Sequence, residues 1–401
     1  MSNQFNDNGN RPSQPTRMDR RRVQAEKETL LKKKHPITKV FALVLVMLTI
    51  IGSAYALRLL SQTKNALNTT YSPIAGKKAS GEIGKRESFS ILLMGADTGG
   101  EGRTYKGNSD TMIVATVNPK DKKVQLFSIP RDTFASIEVP KSYKNYDSVT
   151  GTNNTVLQKI NSAYSMGSEA LAISTIKKQL DIPIDYYMRV DFKSLTKIVD
   201  SVGGIDVDVP FTFTSAYTGG QTFTKGEMHL NGENALAYSR MRHEDPEGDY
   251  GRQKRQRQVI QAILKKLLST ETLANYQKVL NSLSGSLKTD VTYEDMTVLA
   301  SDYRTAAKNI DSDYLHGYST RVVYSNFPNG LSVEVPSTEE LQRISDKIRK
   351  NLGMDIKTLD TPVTRQNTLN EENGFVFGSG SEQTYHIYST TTERKTYPKF
   401  V

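Results

Sequence analysis

The sequence predicts an α/β fold: a central mixed sheet flanked by helices on both faces, preceded by one transmembrane helix. Two observations carry the prediction. An uncharged apolar run stands near the N-terminus, and strand-like and helix-like segments alternate from about residue 88 to 353. No internal repeat competes with this reading. The chain of 401 residues carries a net charge of +10 and has no cysteine. Disulfides, thiolate metal sites and a cysteine nucleophile are therefore excluded. Five histidines, His35, His229, His243, His316 and His386, are scattered without an HExxH pattern, which argues against a zinc site.

Taken in order, residues 1–39 form a basic, polar leader with ten Lys/Arg against four Asp/Glu. The run Val40–Leu57 holds 18 uncharged residues, and 40–60 is long enough to cross a bilayer. The basic side stays in the cytoplasm and the rest lies outside the cell membrane. Ala54-Tyr55-Ala56 has the small-x-small form of a signal-peptide cleavage site, but the long leader and long apolar core favour a retained signal-anchor. Residues 61–87 read as a stalk, 88–353 as the extracytoplasmic catalytic domain and 354–401 as a flexible C-terminal extension. Removing the leader and Arg58 leaves +3 over residues 61–401, so the outer part is close to balanced.

Within the domain, Ser88–Ala96, Thr111–Val117, Val124–Ile129, Tyr186–Val190 and Ile205–Val209 read as strands. The turn Asn118-Pro119-Lys120-Asp121 separates the second from the third. Helices are expected over Thr155–Ser165 and Ser168–Leu180, and after Asp191 as a cap, with Gly203-Gly204 as the stop. Further helices fall near 233–241, 252–268, 271–283, 293–309 and 337–351.

If the first three strands form a meander, Asp97, Asp110 and Arg131 meet at one sheet end. Two carboxylates there suit Mg²⁺ with phosphate oxygens completing its octahedron; loop capping by Asp is the competing reading. The stretch AYSRMRHEDPEGDYGRQKRQRQ then runs into an apolar helix whose stripe is Val259, Ile260, Ile263, Leu264 and Leu267. Stepping back along that stripe places Gln256 and Arg252 on the inner face, with Lys254 and Arg255 pointing away. Arg240 and Arg242, at i and i+2, can aim at one anion if the preceding helix has ended. A solvated helix start pairing with Glu244 and Asp245 is the alternative. RQKRQRQ lacks the interleaved aromatics and flanking motif of a nucleic-acid grip, so no nucleic-acid partner is expected. No G-x-S-x-G elbow or P-loop is present.

The motifs ILLMGADTGG, GNSDTMIVATVNPK, SIPRDTF, KINSAYSMG, VDFKSLTKIVDSVGGIDVDVP and MHLNGENALAYSRMRHEDPEGDYGRQKRQRQVI, in this order, resemble the LytR–CpsA–Psr family. The basic leader and single anchor match it too, and the resemblance covers about 88–353. It implies a membrane-anchored phosphotransferase. Such an enzyme moves an anionic glycopolymer, teichoic acid or capsule-type, from an undecaprenyl-pyrophosphate carrier to peptidoglycan and releases undecaprenyl phosphate. It further implies Asp97 and Asp110 as Mg²⁺ ligands. Arg131, Arg240, Arg242, Arg252 and Gln256 are implied as diphosphate binders, and Asp249 as the acid of the same element. One departure stands out: Asn108 occupies the place where many relatives carry Arg, so either Arg103 or Lys106 substitutes for it or the site binds its anion less tightly. The membrane-lipid tail needs an apolar slot, for which Ile91, Leu93 and Ile113 are candidates against ordinary core packing. Either Asp110 or Asp249 is placed to accept the acceptor hydroxyl's proton. The alternative function is an envelope regulator that binds or hydrolyses polyprenyl lipid without transfer; a transcription attenuator conflicts with the expected topology.

Overall fold

Alternating apolar residues make the central strands two-faced, and both faces are covered. A computed structural model describes residues 18, 71–74, 82–98, 106–144, 154–215, 220–267, 287–324, 327–379 and 383–388. Strands β1 (Phe89–Thr98), β2 (Lys106–Asn118) and β3 (Lys123–Ile129) form the antiparallel meander that the turn at Asn118–Asp121 implies. Then come β4 (Phe134–Glu138), β5 (Thr155–Lys159), helix α1 (Ser162–Leu180), β6 (Tyr186–Val190) and α2 (Phe192–Ser201). Small strands β7 (Ile205–Val209), β8 (Phe213–Ser215), β9 (Gln221–Phe223) and β10 (Gly226–Leu230) lead to α3 (Gly232–Arg240) and α4 (Gly248–Leu267). The chain continues through β11 (Leu287–Thr289), α5 (Tyr293–Asp302), β12 (Ile310–Tyr314), β13 (Tyr318–Tyr324), β14 (Phe327–Val335), α6 (Thr338–Asn351), α7 (Pro362–Glu372) and β15 (Thr384–His386).

The main sheet has the order β11-β6-β1-β2-β3-β12, with β6 parallel to β1 and β12 parallel to β3. It is a mixed sheet, as expected. Leu92, Met94, Met112 and Val114 face one core with α1 and α6 residues such as Tyr164, Ile176, Leu341 and Ile344. Ile91, Ile113 and Ala115 face a second core that Ile260 of α4 and Met296 of α5 close. A third core joins α2, α3 and α4 through Val199, Tyr238 and Val259. Asp191 caps α2 by accepting from Ser194 N at 2.8 Å, as its sequence position predicts.

Several expectations are corrected. Thr155–Lys159 is a strand paired with β4, not the start of a helix; its β-branched Thr155 and Val156 suit that pairing. Helix α1 begins at Ser162 and is broken at Gly167–Ser168, where the sequence marks a boundary between helices. The helix expected over 293–309 stops at Asp302, and a short 3₁₀ turn follows at Ala306–Lys308. Part of the expected stalk packs onto the domain: Tyr71 bridges Thr289, Ser72 O accepts from Tyr187 Oη at 2.6 Å, and Ile83 is fully buried.

The C-terminal region is also no loose extension where the structure describes it. Thr361 and Thr364 form a capping box at the start of α7, and β15 pairs in parallel with β13. Leu359, Val363, Phe375, Tyr385 and Ile387 enter the first core. The expected leader 1–39 (Met18 apart), membrane span 40–60 and helix 271–283, and residues 389–401, lie outside the described residues. Among the described residues no helix is long and apolar enough to cross a membrane.

Tyr385 stacks edge-on against Phe134 at 5.4 Å and donates to Asn367 Oδ1 at 2.7 Å. Replacing Tyr385 with Ala is expected to cost about 3–5 kcal/mol in denaturant unfolding, through the cavity and the lost hydrogen bond. Val376→Ala, at an exposed site, is expected to cost about 0.5 kcal/mol or less. Equal effects for the two substitutions would show that this region is peripheral to the fold.

Candidate diphosphate-binding site

The meander's register decides what meets at the sheet end. Gly95 pairs with Thr111 and Met112 with Ile129, so Asp97, Asp110 and Arg131 all lie beyond the last regular pairs of the same end. The β1–β2 ladder is irregular on both sides of Ala96, which re-aims the segment carrying Asp97. Asp97 is placed there by its strand position; its side chain lies outside what the structure describes. Asp110 Oδ1 accepts from Arg131 Nη1 at 3.0 Å. Behind Arg131, its carbonyl accepts from Asn161 N at 3.2 Å, and Asp132 pairs with Lys159 at 2.9 Å.

Strand β6 ends at the same level, Gly95 opposite Val190, and leads into α2. There the ring of Phe192 lies 4.5 Å from the Arg240 guanidinium carbon. Arg240 is the last residue of α3. Met241 is extended (φ −55°, ψ 136°), so Arg242 leaves the helix, as the i, i+2 spacing requires. Helix α4 then starts at Gly248, which takes φ 56°, and its first turns present Asp249, Arg252 and Gln256. Asp249 Oδ1 is 2.7 Å from Arg252 Nη2 and 3.9 Å from Arg242 Nε, and Gln253 donates to Asp249 Oδ2 at 3.0 Å. Among the described residues, Gln256 Nε2 donates to Ser239 O at 3.5 Å.

Charge binds these pieces into one field. Burial opposes the charge on Arg131, but Asp110, Asp132 and Asp249 outweigh it and hold that guanidinium above its ordinary pKa. Arg252 is 7% exposed, and burial pushes its pKa down. Asp249 and Asp110 oppose that shift, while Arg131 and Arg242 add to it. Among the described residues, buried Arg131 Nε and Arg252 Nε and Nη2 have no hydrogen-bond acceptor. The Arg252–Asp249 approach is close but off the line a hydrogen bond needs. Donors without acceptors, in the field of Asp110 and Asp249, match the oxygens of a phosphate.

The structure thus brings together Asp110, Arg131, Arg242, Asp249 and Arg252, and carries Arg240 and Gln256 on the adjoining helices. Arg103 lies outside the described residues, and Asn108 is exposed on β2. Arg255 corrects the helical-face expectation: it is 2% exposed, not turned away. It pairs with Asp245 and donates to the carbonyls of Tyr238 and Met241. The acid ten residues upstream was the available signal for it. A cavity of about 470 Å³ adjoins the Arg255–Asp245 pair, lined by Asp208, Phe211, Asp245, Gly251, Lys254 and Arg255; its lining does not include Asp110, Arg131 or Arg252.

For a magnesium ion the donor set fits in part. Among the described residues no three Asp, Glu or His side chains gather as a metal cage. Mg²⁺ needs only one or two carboxylates when phosphates supply the rest, and the Asp110 side chain is 40% exposed at this end.

A profile of the LytR–CpsA–Psr (LytR_cpsA_psr) family matches residues 56–350. The Enterococcus faecalis polyisoprenyl-teichoic acid–peptidoglycan teichoic acid transferase TagU is 38% identical over 316 residues, 78% of this chain and 96% of that protein. A crystal structure of a Streptococcus agalactiae protein superposes with a TM-score of 0.61 at 36% identity, covering 71% of this chain and 95% of that one. The structure of TagT bound to LI-WTA gives 0.55 at 26% identity, covering 71% and 99%. With its sheet-end acids and arginines in the order and geometry described, and a profile match over most of its length, the chain belongs to the LytR–CpsA–Psr family.

Proposed function

We propose that this protein is a membrane-anchored phosphotransferase. It moves an anionic glycopolymer, teichoic acid or capsule-type, from an undecaprenyl-pyrophosphate carrier to peptidoglycan and releases undecaprenyl phosphate. The observation that carries the reading is the surplus of buried guanidinium donors on Arg131 and Arg252, facing the same sheet end as Asp110. The name of the 38% identical TagU supports the substrate class. The order of the leader, apolar run and domain supports anchoring with the domain outside the cell.

Phosphoryl transfer asks a protein for positioning and charge stabilisation. Arg131, Arg242 and Arg252 bind the diphosphate oxygens, and Arg240 closes the set from the end of α3. Their donors stabilise charge on the departing polyprenyl phosphate. Asp110, with Asp97 at the matching end of β1, would hold a Mg²⁺ ion, which when bound neutralises phosphate oxygens. A peptidoglycan hydroxyl attacks the sugar-linked phosphorus, and its proton passes to Asp110 or Asp249. The polyprenyl chain lies against the sheet face where half-buried Leu93, Ile260, Met296, Val298 and Leu299 border the second core. Ile113 is fully buried and Ile91 nearly so, so these two act there as core.

Arg252→Ala or Arg131→Ala is expected to lower transfer from a short polyprenyl-pyrophosphate donor by about 100-fold or more. Undiminished turnover would remove them from the site. Chelation of divalent cations is expected to abolish transfer, and added Mg²⁺ to restore it; turnover that persists in chelator sinks the metal assignment. Release of polyprenyl phosphate with no polymer joined to glycan would favour the hydrolysing regulator. Because the chain has no cysteine, single introduced cysteines report topology cleanly. Glu371→Cys is expected to react with an impermeant maleimide on intact cells, and Ser13→Cys only after permeabilisation. The reverse pattern overturns the orientation.

A further inference from the structure

The cation set stands on two separate arms, and something must hold one against the other. Arg240 and Arg242 belong to the end of α3, whereas Asp249, Arg252 and Gln256 belong to α4. The loop between the helices, residues 241–247, contains no regular structure. We propose that Arg255 is a positioning residue for the transfer reaction: it locks the Arg240–Arg242 arm against the Asp249–Arg252 arm without itself touching the substrate. The proposal rests on the phosphotransferase reading above.

Each donor of the Arg255 fork has a distinct anchor. Nε donates to Tyr238 O at 3.0 Å, Nη2 to Met241 O and Nη1 to Asp245 Oδ2. Two of these acceptors are carbonyls at the end of α3, where the helix leaves carbonyls without intrahelical donors and favours a cation. They lie on either side of Arg240 in sequence, and Met241 immediately precedes Arg242. The third anchor fixes the loop. Asp245 Oδ1 accepts from Glu247 N at 2.8 Å, and Gly248 N donates to Asp245 O at 2.9 Å at the start of α4.

Gly251 lets the carboxylate lie against the helix backbone; any Cβ at that position would collide with Asp245. The guanidinium also sits over the rings of Tyr238, at 5.8 Å, and Phe213, at 5.9 Å. Among the described residues, the hydrogen bonds of Arg255 all go to residues 238, 241 and 245. None goes to Asp249, Arg252 or Gln256. A planar fork spans three anchors at fixed angles, and the single ammonium of Lys cannot.

The test uses the full-length chain in detergent. Inorganic pyrophosphate with Mg²⁺ is titrated calorimetrically into the parent, Arg255→Lys, Arg242→Ala and the double variant, with circular dichroism on each. Arg255→Lys is expected to keep the parent spectrum and lose between about 10- and 100-fold in pyrophosphate affinity. Arg242→Ala is expected to cost much less in the Arg255→Lys background than in the parent, because one acts through the other. A purely structural role predicts additive losses, so an additive cycle overturns the proposal. Parent-like affinity in the Lys variant overturns it too. If the Lys variant loses the parent spectrum, Asp245→Asn, which keeps side-chain volume, takes its place under the same two criteria. A parent that binds no pyrophosphate overturns the phosphotransferase reading and this one together; a parent that binds alongside an unaffected Lys variant overturns the lock alone.

Discussion

A buried and a half-buried guanidinium group held together at one end of a sheet are the constraint on which this structure depends. Arg131 and Arg252 lie in each other's field, so burial and like charge both work against them. For Arg131 the neighbouring acids outweigh that cost, whereas for Arg252 Asp249 and Asp110 offset only part of it; among the described residues more guanidinium donors than carboxylate oxygens lack a partner here. Removing Asp249 would leave the Arg252 charge, 9% exposed, with less compensation; the Asp110–Arg131 pair, at 40% and 22% exposure, is partly screened by solvent. The same imbalance makes the sheet end a preorganised host for an anion of more than one charge. Binding energy and stability are thus coupled here through the same atoms.

The rest of the fold can be understood as what holds that arrangement. The meander sets Asp110 beside Arg131, with Asp97 at the same end of β1. The parallel strand β6 delivers α2 and its Phe192 beneath Arg240. Helix α4 carries the remaining cations on a face that continues into apolar packing through Val259 and Ile263. Exposed Asn108 on β2 brings no charge to this end of the sheet. A neutral amide there leaves the burden of charge on the arginines already described.

Much of this was legible in sequence because it follows from counting. Strand period and a short turn are enough to bring the three strand ends together, and helix period places Arg252 on an inward face. Arg255 was not legible by the same count. Its burial depends on Asp245 and on two α3 carbonyls, which lie on a different element and enter no periodicity. The strand at Thr155–Lys159 was missed because a short mixed run carries little period of its own and is decided by its partner β4. Residues 354–401 read as a flexible extension from their threonines and the GSGS stretch. Yet the spaced apolar residues Leu359, Val363, Phe375, Tyr385 and Ile387 were the better guide. The cap Thr361, followed by Pro362, was a readable helix start.

That closing segment also bears on how the molecule comes into being. Tyr385 meets Phe134, from the first half of the chain, inside a core it shares with the central sheet. A ribosome delivers these partners at widely separated times, and the pairing closes a very long loop. Until β15 arrives, the apolar wall it covers stays open to solvent and to wrong neighbours. This core therefore closes only once the segment carrying Tyr385 is made, long after Phe134.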